Sequence, residues 1–241
     1  MDVLDTGTAT LHHRAEGDGS PVLLIAPGGL HASRAASWDR APWDPVAALA
    51  PRHRTVVMDQ RNTGTSWAPV TADTGWGDYA DDQLAVLDHL GIDRFHVVGM
   101  CIGGAFILEL IERAPERVAA AALMQPIGRD GNDGVFAGLF DAWRAEIGGD
   151  HPEADDAAWE GCRRNLFGDG HTLWSVPDDS LTSIPTPMVV LMGADEFHPS
   201  SASRLLAERA PHATLIERWK EPDAQGAARA AIDDLFAAHP V

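Results

Sequence analysis

One stretch constrains this chain more than any other: Phe95-His96-Val97-Val98-Gly99-Met100-Cys101-Ile102-Gly103-Gly104-Ala105-Phe106. Apolar and β-branched residues run into Gly-x-Cys-x-Gly-Gly, and over residues 105–111 the apolar residues continue at helical spacing. The pattern predicts a short buried strand that turns sharply into a helix. Glycines two residues before and after the tip let strand and helix pack closely, while the tip itself sits under backbone strain. Such a turn holds its tip side chain out over the end of a sheet. Cys101 is therefore a candidate nucleophile, against the plainer reading of a small thiol that only packs.

The rest of the chain alternates around that unit. Residues 21–26, 54–58, 118–124 and 187–193 are apolar runs of strand length, as expected of strands covered on both faces. Residues 38–50, 79–90, 201–210 and 227–238 read as helices, and 213–216 as a last strand. Residues 6–15 alternate weakly before Gly17-Asp18-Gly19-Ser20, which predicts an antiparallel opening hairpin with 21–26 as the next strand. Strands alternating with helices imply a mostly parallel sheet with right-handed crossovers. The alternation lapses between residues 128 and 181. There a Gly- and Asp-rich loop precedes two helices, 135–147 and 155–167, carrying Phe136, Phe140, Trp143, Trp159 and Phe167. Rings clustered this way suit an apolar pocket roof, or the glue between that segment and the core.

At 241 residues the chain suits one large α/β domain, or one domain with a small insert. Its net charge of −18 argues against nucleic acid or an anionic membrane surface as partner. Two cysteines, Cys101 and Cys162, and no Cys/His cluster at zinc spacing argue against a disulfide framework or a metal site. Residues 1–5 have neither a basic nor an apolar leader character, and no apolar run is long enough to span a bilayer. The expected location is the cytoplasm.

Gly99-Met100-Cys101-Ile102-Gly103-Gly104 resembles the nucleophile elbow of the α/β-hydrolase fold, in the Cys form of dienelactone hydrolases and polyhydroxyalkanoate synthases. The chain is far too short for the second of these. The resemblance covers most of the chain and implies a core of residues 1–127 and 182–241 with a helical cap at 128–181. It implies an oxyanion hole from the backbone of Ile102 and of Gly29, with Leu30 one register away, since Pro27-Gly28-Gly29 stands where the family has His-Gly-x. Asp59-Gln60-Arg61-Asn62-Thr63-Gly64-Thr65-Ser66 is similar to the family's Asp-x-Arg-Gly-x-Gly-x-Ser loop and is read as structural, Arg61 being a lesser candidate for substrate contact. The triad acid is implied after the strand at 187–193, at Asp195 with Glu196 as alternative. The family's base, a Gly-His after the last strand, is missing, and Glu217-Arg218-Trp219-Lys220 stands there instead. His198 is the first candidate to replace it, followed by His31, His171 and Lys220.

These residues predict a cofactor-independent hydrolase of an ester, thioester or lactone, working through a Cys101 acyl-enzyme with Asp195 and His198. The expected substrate is small, with an apolar or aromatic acyl group. Alternatives are an acyltransferase, lyase or cyclase on the same scaffold, or a small-ligand-binding homologue without catalysis.

Overall fold

The most apolar runs of the chain lie at the centre of a single sheet. The computed structural model, which describes residues 1–39, 41–168 and 170–241, contains strands β1 (Asp2–Asp5), β2 (Thr10–Glu16), β3 (Ser20–Ile25), β4 (His53–Met58), β5 (Phe95–Met100), β6 (Val118–Met124), β7 (Met188–Leu191) and β8 (Ala213–Ile216). Their spatial order is β1-β2-β4-β3-β5-β6-β7-β8. Every residue of β5 and β6 is buried, as a strand with helices on both faces requires. Pairing is parallel from β4 across to β8, and antiparallel where β2 meets β1 and β4.

The helices are α1 (Gly29–Ala32), α2 (Pro45–Leu49), α3 (Trp76–His89), α4 (Gly103–Arg113), α5 (Asp133–Ile147), α6 (Asp156–Phe167), α7 (Ser200–Arg209) and α8 (Gln225–Ala238). Alternate strand residues feed two cores. Leu23 and Ile25 pack with Tyr79 of α3, Phe106 and Ile107 of α4 and Leu206 of α7. Val22 and Leu24 face the other way, toward Leu49 of α2 and Ile232 and Phe236 of α8. The α/β-hydrolase architecture expected from the sequence is the one observed.

Two local expectations are corrected. The opening hairpin is β1 with β2, not β2 with β3, because β2 lies against β4 on the sheet edge and β3 sits inside, between β4 and β5. Residues 38–50 do not form one helix. Apart from residue 40, which lies outside the described residues, 35–43 are turns and bends, and only Pro45–Leu49 is helical. Pro42 and Pro45 disfavour helical backbone in the residues before them. Asp44 then starts the helix, its carboxylate accepting from the Val46 N–H at 2.8 Å. Between β6 and β7 the described residues form α5, α6 and two short 3₁₀ turns, Gly148–Asp150 and Ser180–Ser183, without a strand.

Candidate active site

The turn from β5 to α4 is built from contacts only glycine permits. A Cβ on Gly99 would stand 2.8 Å from the Gly103 carbonyl oxygen, and one on Gly104 would stand 2.5 Å from Pro126 Cβ. Strand and helix thereby approach closely, and Cys101 at the tip is forced to a φ of 61°. The turn is pinned from β6: the Cys101 N–H donates to the Met124 carbonyl at 3.0 Å, and the Cys101 carbonyl accepts from Ile127 N–H at 3.2 Å.

The loop after β7 folds back on itself with equal tightness. A Cβ on Gly193 would lie 2.3 Å from the His198 carbonyl oxygen. One carboxylate oxygen of Asp195, Oδ1, accepts from the N–H of Phe197 and of His198, both at 3.0 Å, and meets His198 Nδ1 at 2.6 Å. That contact assigns the Nδ1 proton toward Asp195 and leaves Nε2 for another partner. His198 is buried, its Nε2 meets no hydrogen-bond partner among the described residues, and it lines the same cavity as the Cys101 thiol.

The three groups shift one another in a consistent direction. Burial alone would raise the Cys101 thiol, but the His198 imidazole and the backbone of Gly28 and Ile102 outweigh it, so the thiol titrates below the ordinary cysteine value. Burial alone would lower His198, yet Cys101 and the Asp195 carboxylate hold the imidazole above the ordinary histidine value. Burial would raise Asp195, but His198 and the loop N–H groups pull it below the usual carboxylate range. Cys162, by contrast, is simply buried and pushed up to about 12.

A cavity of about 610 Å³ opens over Cys101 and His198. Gly28, Gly29 and Ile102 line it beside the sulfur, and Phe136 and Leu139 of α5, Phe167 of α6 and Phe197 give it an apolar wall. A second cavity of about 260 Å³, between α2 and α8, holds neither a thiol nor a histidine. Among the described residues no group of three or more His, Cys, Asp or Glu could hold a metal ion, and no helix is long and apolar enough to cross a membrane.

The remaining candidates from the sequence lie apart from the thiol or face elsewhere. His31 stands at the cavity rim, with Nδ1 2.5 Å from a Glu146 carboxylate oxygen. His171 lies in the turn before Trp174 and does not line the cavity. Glu196 is exposed, and its backbone carbonyl accepts from the Asn132 amide at 2.6 Å. Lys220 is exposed and lies over the Trp219 ring. Arg61 is buried against Asp82 of α3, with Nε 2.8 Å and Nη2 2.9 Å from its oxygens. The backbone of Gly28 and of Ile102 lies against the sulfur, and Gly29 lines the cavity beside them. Trp219, in the segment after β8 where the resemblance implies a histidine, is buried, packs edge-to-face on Trp43 and donates from Nε1 to the Met192 carbonyl at 2.8 Å. Gln125, at the end of β6, lines the cavity and carries no signal in the sequence beyond a polar residue before a proline.

The family model described as the alpha/beta hydrolase fold matches residues 21–161. The chain belongs to the α/β-hydrolase fold family. It is 32% identical over 149 residues to a putative carbamate hydrolase, RutD, of Azorhizobium caulinodans, a match covering 61% of this chain and 52% of that one. It is 32% identical over 108 residues to the carboxylesterase YbfK of Bacillus subtilis, covering 44% of this chain and 34% of that one. The chain thus spans about half or less of the length of these curated relatives. A thermophilic esterase from Thermogutta terrifontis shares the fold with a TM-score of 0.71 at 20% identity, covering 100% of both chains.

Proposed function

We propose that this α/β-hydrolase cleaves an ester, thioester or lactone through an acyl-enzyme on Cys101, in the manner of the Cys elbow of dienelactone hydrolases. The observation that carries the reading is the Asp195–His198 pair, 2.6 Å apart, in a loop whose histidine lines the same cavity as Cys101. Relatives described as a carbamate hydrolase and a carboxylesterase support hydrolysis at a carbonyl.

The thiolate sulfur attacks the carbonyl carbon, forming the C–S bond and sending the carbonyl electron pair onto oxygen. The N–H groups of Ile102 and Gly29 receive that oxyanion, and the start of α4 adds its dipole. Collapse expels the alcohol or thiol, which takes its proton from His198. Water then attacks the acyl carbon, His198 accepts the water's proton, and the C–S bond breaks to return the thiolate and release the acid. Asp195 holds the imidazole in the tautomer that serves both steps. No cofactor takes part. Residues 128–181 act as the cap, roofing the cavity over a small apolar or aromatic acyl group. A working thiol suits the reducing cytoplasm.

The Trp219 that stands in place of the family's histidine favours a second reading, a site that binds its ligand or transfers or rearranges it without hydrolysis. Incubation with a phenyl thioester, followed by intact-mass measurement and turnover assay, separates the two. The first reading expects an acyl adduct that Cys101→Ala abolishes together with turnover at unchanged circular dichroism. It expects His198→Ala to lose about 10²–10⁴-fold in rate. An inert Cys101, or full activity in Cys101→Ala, refutes it.

A further inference from the structure

One contact at the cavity rim has no part in the proposed mechanism, and it joins two segments far apart in the chain. His31 lies in α1, and its Nδ1 stands 2.5 Å from a carboxylate oxygen of Glu146, in the last turn of α5. The loop that carries α1 is fixed at its base. The Ser33 hydroxyl donates to the Ala26 carbonyl at 2.7 Å. The Ser33 carbonyl accepts from the Gln60 N–H at 3.0 Å and from the Thr63 hydroxyl at 3.1 Å. Residues 27–32 therefore leave the end of β3 and return to the same point.

Inside that loop, Gly28 and Gly29 take φ values of 127° and 63°. Glycine occupies positive and negative φ about equally readily, so two such residues in succession make a hinge. The hinge lies at the reacting atoms, because the Gly28 backbone is against the Cys101 sulfur and Gly29 lines the cavity beside it. Beyond the hinge α1 rests on α5, whose Phe136 and Leu139 wall the cavity. The His31 side chain on Glu146 is the polar tie between these two helices among the described residues. With the base pinned and a hinge within, the far side of the loop is placed by what it meets on α5. An oxyanion donor is effective only when it is already aimed at the place where the charge develops.

We infer that His31 and Glu146 are positioning residues: their contact ties the loop of Gly28 and Gly29 to α5, so that the Gly29 N–H is held over Cys101 while the acyl group rests on Phe136 and Leu139. The inference rests on the acyl-enzyme reading for the place of the oxyanion. It gives His31 a role that needs no proton transfer.

The test compares two reactions of one sulfur. Acylation by a phenyl thioester puts charge on a carbonyl oxygen. Alkylation by iodoacetamide forms the S–C bond as iodide leaves and makes no oxyanion. His31→Ala and Glu146→Ala are each expected to slow single-turnover acylation at saturating thioester by about fivefold, the most that a pair reaching solvent is worth. The half-saturating concentration should change little and the alkylation rate should not change. Both substitutions remove the same contact, so the double variant should lose no more than either. His31→Gln keeps a donor for the Glu146 carboxylate and should keep most of the rate, which a general base at this position would not survive. Unchanged acylation in the alanine variants, losses that multiply in the double variant, or alkylation slowed alongside acylation each overturn the inference. So does a higher half-saturating concentration at an unchanged maximal rate, which would mean a pair that only braces α5. A wild-type Cys101 that is alkylated yet never acylated would instead refute the acyl-enzyme reading, and this coupling with it.

Discussion

In the proposed mechanism Cys101, His198 and Asp195 form a chain in which each member biases the protonation of the next. Two opposing influences act on the thiol. Burial raises it, and His198 is the largest influence lowering it. The thiolate-dependent rate of alkylation by iodoacetamide should therefore rise with pH along a limb lying below that of an ordinary cysteine. In His198→Ala only burial and the backbone donors remain, so the limb should move to higher pH, with about tenfold less thiolate at neutral pH for each unit it moves. Asp195→Asn keeps an oxygen for the two loop N–H groups but loses the charge, and should move the limb less. Glu196→Gln should leave it in place. A limb in His198→Ala that coincides with the wild type would break the coupling. The sequence points to these three residues through the resemblance, Cys101 at the tip of the elbow and Asp195 and His198 in the loop after the strand at 187–193. It leaves Gln125 unmarked, since a cavity-lining side chain after a strand end shows in no local pattern.

At the level of elements, the two loops that meet over the sheet depend on missing side chains. Gly193 is the sharper case, because a Cβ there would run into main chain and not into a movable side chain. Gly193→Ala should destabilise the protein by on the order of 1–3 kcal/mol in denaturant titration, and should also slow Cys101 alkylation because the loop carrying His198 must shift. Destabilisation without a change in alkylation would separate the loop from the thiol. The strand-helix units are legible because apolar runs of strand length and helical spacing are local signals. The edge pairing of β2 with β4 is not, since it joins segments about 40 residues apart and leaves no trace in either alone. Apolar spacing over residues 38–50 suggests a helix longer than α2, and the two prolines that break it outweigh that spacing.

The whole molecule carries 36 acidic against 18 basic residues, so its surface repels itself. Raising the salt from about 0.01 M to about 0.15 M shortens the Debye length from about 30 to about 8 Å and should raise the melting temperature. A melting temperature that falls would mean that exposed ion pairs such as Arg52 with Asp233 matter more than the net repulsion. The same scale shows what the Asp195–His198 loop does for the chain. The family pattern recruits acid, base and nucleophile from three distant segments, and each recruitment restricts the chain. In the reading proposed for this chain, acid and base are three residues apart, so a single long closure, between residues 101 and 198, assembles all three. Closure entropy grows as about (3/2)RT ln n, and the second closure is almost free. Openings of β8 and α8, which would carry a base away in the usual arrangement, would leave Asp195 and His198 together on one loop.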